Sequence, residues 1–306
     1  MQKESKQKIK DWLLISRLPF FSVAILPFLL GTFMASRLSG VFNPPVFFLA
    51  LVAVILIKLS THYSGEIYDS KEDALSAKMG RNAFSGGSQV LVEKRLREKD
   101  VKLAIYVMVV VVFAIGITLQ FYLKTGPWTL FLGITGFICG FFYSKPPFRW
   151  VKRGIGELLI AYSYGWLPVA VGFYLQTGKF IPLLLWISIP IACTIFNVIF
   201  INEFPDYPAD LAVEKTNLLV RIGKKKGEVL YIAVALAAST MFLNSIFFGA
   251  PVKSIWFYLP VLALSSYNIF VVFSKGYESP RKLERACGLT IVVNLATTLA
   301  YILGFV

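Results

Sequence analysis

Residues 180–210 read FIPLLLWISIPIACTIFNVIFINEFPDYPAD, and the change of character inside this stretch decides the fold. Residues 180–201 carry no charge. At ~1.5 Å of rise per residue, an uncharged run of about 20 residues is what a helix needs to cross a bilayer's ~30 Å of hydrocarbon. Immediately afterwards the chain turns polar, as Asn202-Glu203-Phe204-Pro205-Asp206-Tyr207-Pro208-Ala209-Asp210. A carboxylate is costly at membrane depth, so this cluster marks where the helix leaves the bilayer.

The same transition occurs earlier. Residues 44–64, apolar apart from a few polar positions such as Lys58 near their inner end, run into Gly65-Glu66-Ile67-Tyr68-Asp69-Ser70-Lys71-Glu72-Asp73. Both copies have the form x-Glu-x-x-Asp-x-x-x-Asp, in identical register. Around them lie further apolar stretches, nine in all: about 13–36, 44–64, 101–123, 127–143, 156–176, 180–201, 228–249, 254–274 and 284–305. A chain with 57% hydrophobic residues and a mean hydropathy of +0.68 is not a soluble globular protein. No strand-and-turn alternation is present, and a backbone in lipid must satisfy its own hydrogen bonds, so helices are expected. The reading is an all-α membrane protein with nine transmembrane helices. It is one integral-membrane domain over 1–306, whose inner loops, about 65–100 and 203–227, carry the two acidic motifs.

Charge placement orients it. Of 31 Lys and Arg, only Arg37, Lys124, Lys179 and Lys253 fall in the connections assigned to the outside, and all 17 acidic residues fall on the opposite side. The positive-inside rule then puts the N-terminus and both motifs in the cytoplasm. The net charge of +14 is largely topology, because the basic residues are spread over loops between spans, and it does not indicate nucleic acid. The first apolar segment is too long for a signal peptide and is expected to be retained. Cys139, Cys193 and Cys287 show no paired spacing and read as packing residues.

Asp69 and Asp73 are four apart, as are Asp206 and Asp210, so on a helix each pair projects from one face. Glu66 and Asn202 extend these oxygen-rich surfaces. A few hard oxygen ligands suit Mg2+, which keeps waters and completes its shell with phosphate oxygens. Pro205 and Pro208 argue against a regular helix through the second motif, so convergence by loop geometry is expected there. Basic residues follow: Lys215 and Arg221 after the second motif, and Arg149 and Lys152 in the loop that also holds Tyr143. Two metal-binding carboxylate patches with cationic neighbours at a membrane face point to a lipid diphosphate, whose departure needs both.

These residues resemble the UbiA-type intramembrane prenyltransferases, and within them the dihydroxynaphthoate polyprenyltransferases of menaquinone synthesis. The resemblance is carried by Arg17-Leu18-Pro19, GEIYDSKED at 65–73, RNAFSGGSQVL at 81–91, YSKPPFRWVKRGIGE at 143–157, Gln176-Thr177-Gly178 and NEFPDYPADLAVEKTNLLVRIG at 202–223. It implies a bundle around a lipid-open cavity, with a Mg2+-bound diphosphate at the cytoplasmic mouth. The implied metal ligands are Glu66, Asp69, Asp73, Asp206 and Asp210. Asn202, Lys215, Arg221, Arg149, Lys152, Arg17 and Tyr143 are the implied diphosphate side. The activity implied is transfer of an isoprenyl group to an aromatic acceptor, a quinone precursor such as dihydroxynaphthoate, at a prokaryotic cell membrane. Gly65 stands where the family usually has Asn, and Asn217 where it has Thr, which bears on donor and acceptor contacts. The alternatives are a terpene cyclase on the same metal site and, further off, a lipid-binding or transport protein. Transport is disfavoured because the carboxylates gather at one membrane face rather than at the midplane.

Overall fold

A computed structural model describes residues 2–79 and 82–306, with side chains from Lys6 onward. Met1, Gly80 and Arg81, the last being the start of the RNAFSGGSQVL stretch, lie outside the described residues. The helices in chain order are α1 (Gln2–Ser16), α2 (Ser22–Ser39), α3 (Pro44–Tyr68), α4 (Ser70–Lys78), α5 (Glu98–Ile117), α6 (Thr129–Phe141) and α7 (Gly156–Ala161). They continue with α8 (Leu167–Thr177), α9 (Pro182–Ala212), α10 (Leu218–Ile222), α11 (Lys224–Phe247), α12 (Ser254–Phe273) and α13 (Pro280–Gly304). Among the described residues there is no strand.

Among the described residues, eight helical segments are long and apolar enough to cross a membrane. The fourth expected span, 127–143, is instead the 13-residue α6, which carries Gly133, Gly136 and Gly140 and starts after a Gly126-Pro127 turn. Outward-facing side chains explain why such a molecule needs lipid. On α5, Leu103, Tyr106, Val110, Phe113 and Ile117 are exposed at helical spacing, while Val101, Ile105, Met108 and Ile115 are buried on the other side. Both faces are apolar, as expected when the outer solvent is hydrocarbon. The chain is an integral membrane protein.

Two departures from the sequence reading have clear causes. The first span is interrupted: α1 stops at Ser16, Arg17 adopts a left-handed conformation (φ 50°), and a 3-10 turn over Leu18–Phe21 leads into α2. Pro19 lacks the N–H that a continuous helix would use there. Conversely, α9 runs unbroken to Ala212 through Pro205 and Pro208, against the loop expected for the second motif. Pro205 leaves the Ile201 carbonyl without its helical donor. The Cys287 thiol supplies one from α13, at 3.8 Å, as neighbouring groups commonly do for prolines in membrane helices.

Helices approach closely where side chains vanish. A Cβ on Gly31 of α2 would collide with the Val169 carbonyl of α8, and one on Gly172 with the Phe28 carbonyl, the small-residue packing that lipid favours. Buried amides tie other pairs: Asn197 donates to the Tyr231 carbonyl at 3.0 Å and Asn294 to Thr194 Oγ1 at 2.9 Å. The two ends of the bundle differ in chemistry. At one end Asn43 N–H donates to Gln176 Oε1 (2.6 Å) and Trp128 N–H to the Tyr174 hydroxyl (3.1 Å). The other end gathers the acidic motifs and most of the cations.

Candidate active site

The first motif sits at a joint. Asp69 caps α3 and precedes α4: its N–H donates to the Gly65 carbonyl (2.9 Å) and its own carbonyl accepts from Asp73 N–H (2.9 Å). The backbone thus keeps a helical turn, and Asp69 and Asp73 both line one pocket. Ser144 Oγ donates to Asp69 Oδ2. The other oxygen, Oδ1, is buried and accepts no hydrogen bond, and the Arg149 guanidinium stands 3.6 Å away. Glu66 is spoken for: it accepts from Ser88 N–H (2.8 Å) and Ser88 Oγ (2.5 Å), with Arg17 Nε at 3.8 Å. These bonds fasten the loop after α4 over the motif. Gly86 (φ 70°) and Gly87 (φ 64°) make the arch, in a region side chains rarely adopt. A Cβ on Gly87 would collide with the Asp73 carboxylate.

The second motif lies within one rigid helix. Asn202, Asp206 and Asp210 recur every four residues on α9. Asp206 accepts from Ser76 Oγ of α4 (2.5 Å) and from Gly86 N–H (3.3 Å), so the two motifs are stitched across the cleft. Asp210 pairs with Lys215 Nζ (3.2 Å) and accepts from Asn217 Nδ2 (2.7 Å). Asn202 Oδ1 is buried without a partner.

Eight of the residues singled out in the sequence line this polar pocket of about 1210 Å³: Arg17, Glu66, Asp69, Asp73, Tyr143, Asn202, Asp206 and Lys215. Four do not. Asp210 is one turn beyond, behind Lys215. Arg149 and Lys152 lie to one side, paired with the buried Glu72 at 2.7 and 3.2 Å. Arg221 donates to the Thr216 carbonyl (2.7 Å) at an exposed position. A second, nearly apolar cavity of about 880 Å³ adjoins the first, between α3, α5, α6 and α8. Ala50, Ala53, Gly133 and Gly136 keep it open, and Lys58, Thr61 and Tyr164 border both spaces.

The electrostatics are those of a crowded anionic mouth. Burial, then the neighbouring Asp69 and Glu66 carboxylates, push Asp73 up to about 8. Burial also raises Asp69, although Lys215 and the Ser144 hydroxyl oppose it. Burial alone would discharge Lys215, but Asp210, Asp69, Asp206 and Glu203 outweigh it and hold the ammonium above the ordinary lysine value. Tyr143 is pushed well above the ordinary phenol value by burial and by Glu157 and Glu203, so it remains a hydrogen-bond donor.

Does this donor set suit a divalent cation? Among the described residues no three carboxylate, imidazole or thiol groups converge closely enough to enclose one. A full protein cage is the wrong expectation for Mg2+, which takes one or two carboxylates and fills the rest of its shell with water and phosphate oxygens. The unpartnered Asp69 Oδ1 and Asn202 Oδ1, and the mutual repulsion at Asp73, fit that mode.

The sequence profile of the UbiA prenyltransferase family matches residues 24–295. The chain belongs to that family. It is therefore a prenyltransferase. A similar UbiA-family relative is the "2-carboxy-1,4-naphthoquinone phytyltransferase" of Synechocystis, 27% identical over 74% of this chain and 70% of the relative. Another is the "1,4-dihydroxy-2-naphthoate octaprenyltransferase" of Escherichia coli, 24% identical over 99% of this chain and 97% of the relative. Among solved structures, the UbiA homolog of Archaeoglobus fulgidus bound to GPP and Mg2+ superposes with a TM-score of 0.67 at 15% identity. That match covers 95% of this chain and 99% of the other, and the likeness shows that the fold is the UbiA fold.

Several partners of the site were not singled out in the sequence. Ser76, Ser144 and Ser88 look like ordinary loop and helix serines until the fold brings them to Asp206, Asp69 and Glu66. Lys58 reads as a topology marker, because a sequence does not show which face of α3 meets a cavity.

Proposed function

We propose that this protein transfers an isoprenyl group from an isoprenoid diphosphate to a carboxylated naphthalene-type acceptor, with Mg2+, as one functional unit spanning the chain. The observation that carries this reading is the pairing of two cavities. A polar mouth faced by both acidic motifs adjoins an apolar chamber, which matches the two halves of an isoprenoid diphosphate. The relatives' acceptors, a carboxylated naphthoquinone and a dihydroxynaphthoate, support the acceptor class, and the GPP- and Mg2+-bound homolog supports the donor and the metal.

Asp69, Asp73 and Asp206 would hold the cation, with Asn202 beside them and Asp210 anchoring Lys215. Bound there, Mg2+ supplies positive charge to the phosphate oxygens as the leaving group forms. Lys215 adds a fixed ammonium aimed at the same oxygens, and the Tyr143 hydroxyl a neutral donor. The bond between the allylic carbon and the diphosphate oxygen breaks with its electron pair on the diphosphate. A ring carbon of the acceptor then donates a pair to the allylic carbon, and the ring recovers aromaticity by losing a proton or carbon dioxide. Tyr164 and Phe84 line the mouth, and aromatic rings of this kind favour a nearby carbocation. The excess of cations at the mouth end supports a cytoplasmic position for that face, and the bacterial relatives support a prokaryotic cell membrane.

The test is turnover. Purified protein in detergent with Mg2+, geranylgeranyl diphosphate and 1,4-dihydroxy-2-naphthoate is expected to release diphosphate and form a prenylated naphthoquinol, identified by mass spectrometry. A cyclic hydrocarbon or free alcohol as sole product, without acceptor consumed, would assign a cyclase instead. Absence of diphosphate release with any chain length would overturn the enzymatic reading of this site.

A further inference from the structure

Lys58 is a buried cation with no anion. Only 8% of it is exposed, it lies in the membrane-crossing part of α3, and its ammonium sits 3.9 Å from the centre of the Tyr164 ring. Among the described residues it forms no ion pair. Its charged or titratable neighbours are Arg17 and His62. Arg17 is drawn toward Glu66, and His62 Nδ1 is bonded to the Ser16 carbonyl at 2.8 Å. An ammonium away from water is costly unless an opposite charge meets it, and one aromatic face recovers part of that cost only. The side chain borders both the polar mouth and the apolar chamber, so a ligand is what can bring the missing charge.

The diphosphate is the wrong anion for it. Lys58 precedes Asp69 by 11 positions on the same helix, which is ~16 Å along the axis at ~1.5 Å per residue. Helical side chains lean toward the helix N-terminus, which here is away from the acidic motifs. The π-helical turn Tyr162–Trp166 carries the Tyr164 ring that meets the ammonium, a kind of irregularity often found at functional sites. Lys58 therefore stands beyond the phosphates, at the neck where the reacting carbon of the donor must pass and where the acceptor has to approach.

We propose that Lys58 receives the carboxylate of the aromatic acceptor and so selects carboxylated rings. The assignment rests on the prenyl-transfer reading above and adds to it the residue that sets acceptor specificity. Lys58 is a binding and positioning residue: it holds the acid group so that the ring lies against Tyr164 with a carbon toward the donor. His62 and Thr61 line the same pocket.

The experiment compares Lys58→Gln and Lys58→Arg with the parent protein, using 1,4-dihydroxy-2-naphthoate and its decarboxylated counterpart 1,4-dihydroxynaphthalene. In Lys58→Gln, KM for the carboxylated acceptor is expected to rise at least about tenfold, the order expected for losing a charge-assisted hydrogen bond. KM for geranylgeranyl diphosphate should stay within about twofold, use of 1,4-dihydroxynaphthalene should be unchanged, and Lys58→Arg should recover most of the preference. Losing both acceptors equally, or a KM change confined to the donor, would overturn the assignment. Removing an unpaired buried charge is not expected to unfold the protein. A second readout does not depend on turnover: 1-hydroxy-2-naphthoate should raise the melting temperature of the parent but not of Lys58→Gln, while 1-naphthol acts on both alike. Equal shifts by 1-hydroxy-2-naphthoate in both proteins would refute the role of Lys58 even if the parent proved to prenylate another acceptor.

Discussion

The two acidic motifs share one spacing but not one kind of support. Asp69 and Asp73 straddle a joint between α3 and α4 and are roofed by a glycine arch, whereas Asn202, Asp206 and Asp210 ride on the uninterrupted α9. The first side is assembled from separate pieces: Ser144 and Arg149 come from the loop between α6 and α7, and Ser88 and the Gly86-Gly87 turn from the loop between α4 and α5. The second side is pre-set by a single helix, whose proline is compensated by Cys287. Spacing alone therefore says which acidic residues share a face, and the supporting backbone says how each face is held. Under the proposed function, a site that admits a bulky lipid diphosphate and closes on it would benefit from one fixed wall and one adjustable wall.

The comparison breaks most sharply if the two walls turn out to be unequal in catalysis. Asp69→Asn and Asp206→Asn should each lower the rate of diphosphate release by about 1000-fold, the scale seen when a preorganised charge-stabilising group is lost. A loss confined to one of them would mean that a single motif suffices. Next in size, Lys215→Gln should cost about 100-fold in rate and about 3 kcal/mol of stability, because it leaves Asp210 buried without its partner. Arg221→Gln, only six positions on, should change the rate by less than about threefold, since Arg221 is exposed and bonds its own loop.

Smaller effects separate the supports themselves. Gly87→Ala should destabilise the protein by about 1–2 kcal/mol, from the left-handed backbone and the collision with Asp73. It should also weaken donor binding, measured as KM for the diphosphate. Pro205→Ala on the other wall should shift stability by less than about 1 kcal/mol, because α9 is already helical there. Equal sensitivity of the two positions would remove the distinction between an adjustable wall and a fixed one.

Carboxylate crowding at the first motif also makes stability depend on pH. In the metal-free protein Asp73 titrates at about 8 rather than its ordinary 3.8, so the folded state holds a proton that the unfolded state has released. Between those two values the folded state binds more protons, and metal-free stability should fall as pH rises through that window, levelling off above about 8. Mg2+ favours the ionised carboxylate, so its stabilising effect should grow over the same range. Melting curves in detergent with chelator and with Mg2+, from pH 5 to 9, measure both slopes. The same metal-free pH slope in Asp73→Asn as in the parent would contradict the crowding at Asp73.

Much of this was legible in the chain, for physical reasons. Lipid admits few architectures, so the apolar runs give the helices, and the cost of carboxylates in hydrocarbon puts the acidic motifs at helix ends. The period of four gives the faces of Asp69 with Asp73 and of Asp206 with Asp210. What was not legible depends on contacts distant in sequence. Pro205 and Pro208 forecast a broken helix, and only the Cys287 thiol, more than 80 positions on, shows how the carbonyl of Ile201 is satisfied. Pro19 lies inside an apolar run that reads as one span from 13 to 36, and the left-handed turn at Arg17 that separates α1 from α2 appears only in the structure. Lys215 and Arg221 look equivalent in sequence, yet one is enclosed by four carboxylates and the other faces water.

The most direct test of two walls acting on one ligand is binding of an inert donor. Geranylgeranyl S-thiolodiphosphate can be titrated by calorimetry, with and without Mg2+, into the parent, Asp69→Asn, Asp206→Asn and the double variant. The account predicts that each single change abolishes most of the Mg2+-dependent affinity and that the double variant loses little more, the non-additivity expected of groups sharing one ligand. Losses that simply add, or Mg2+-dependent binding that survives in either single variant, would contradict a shared site.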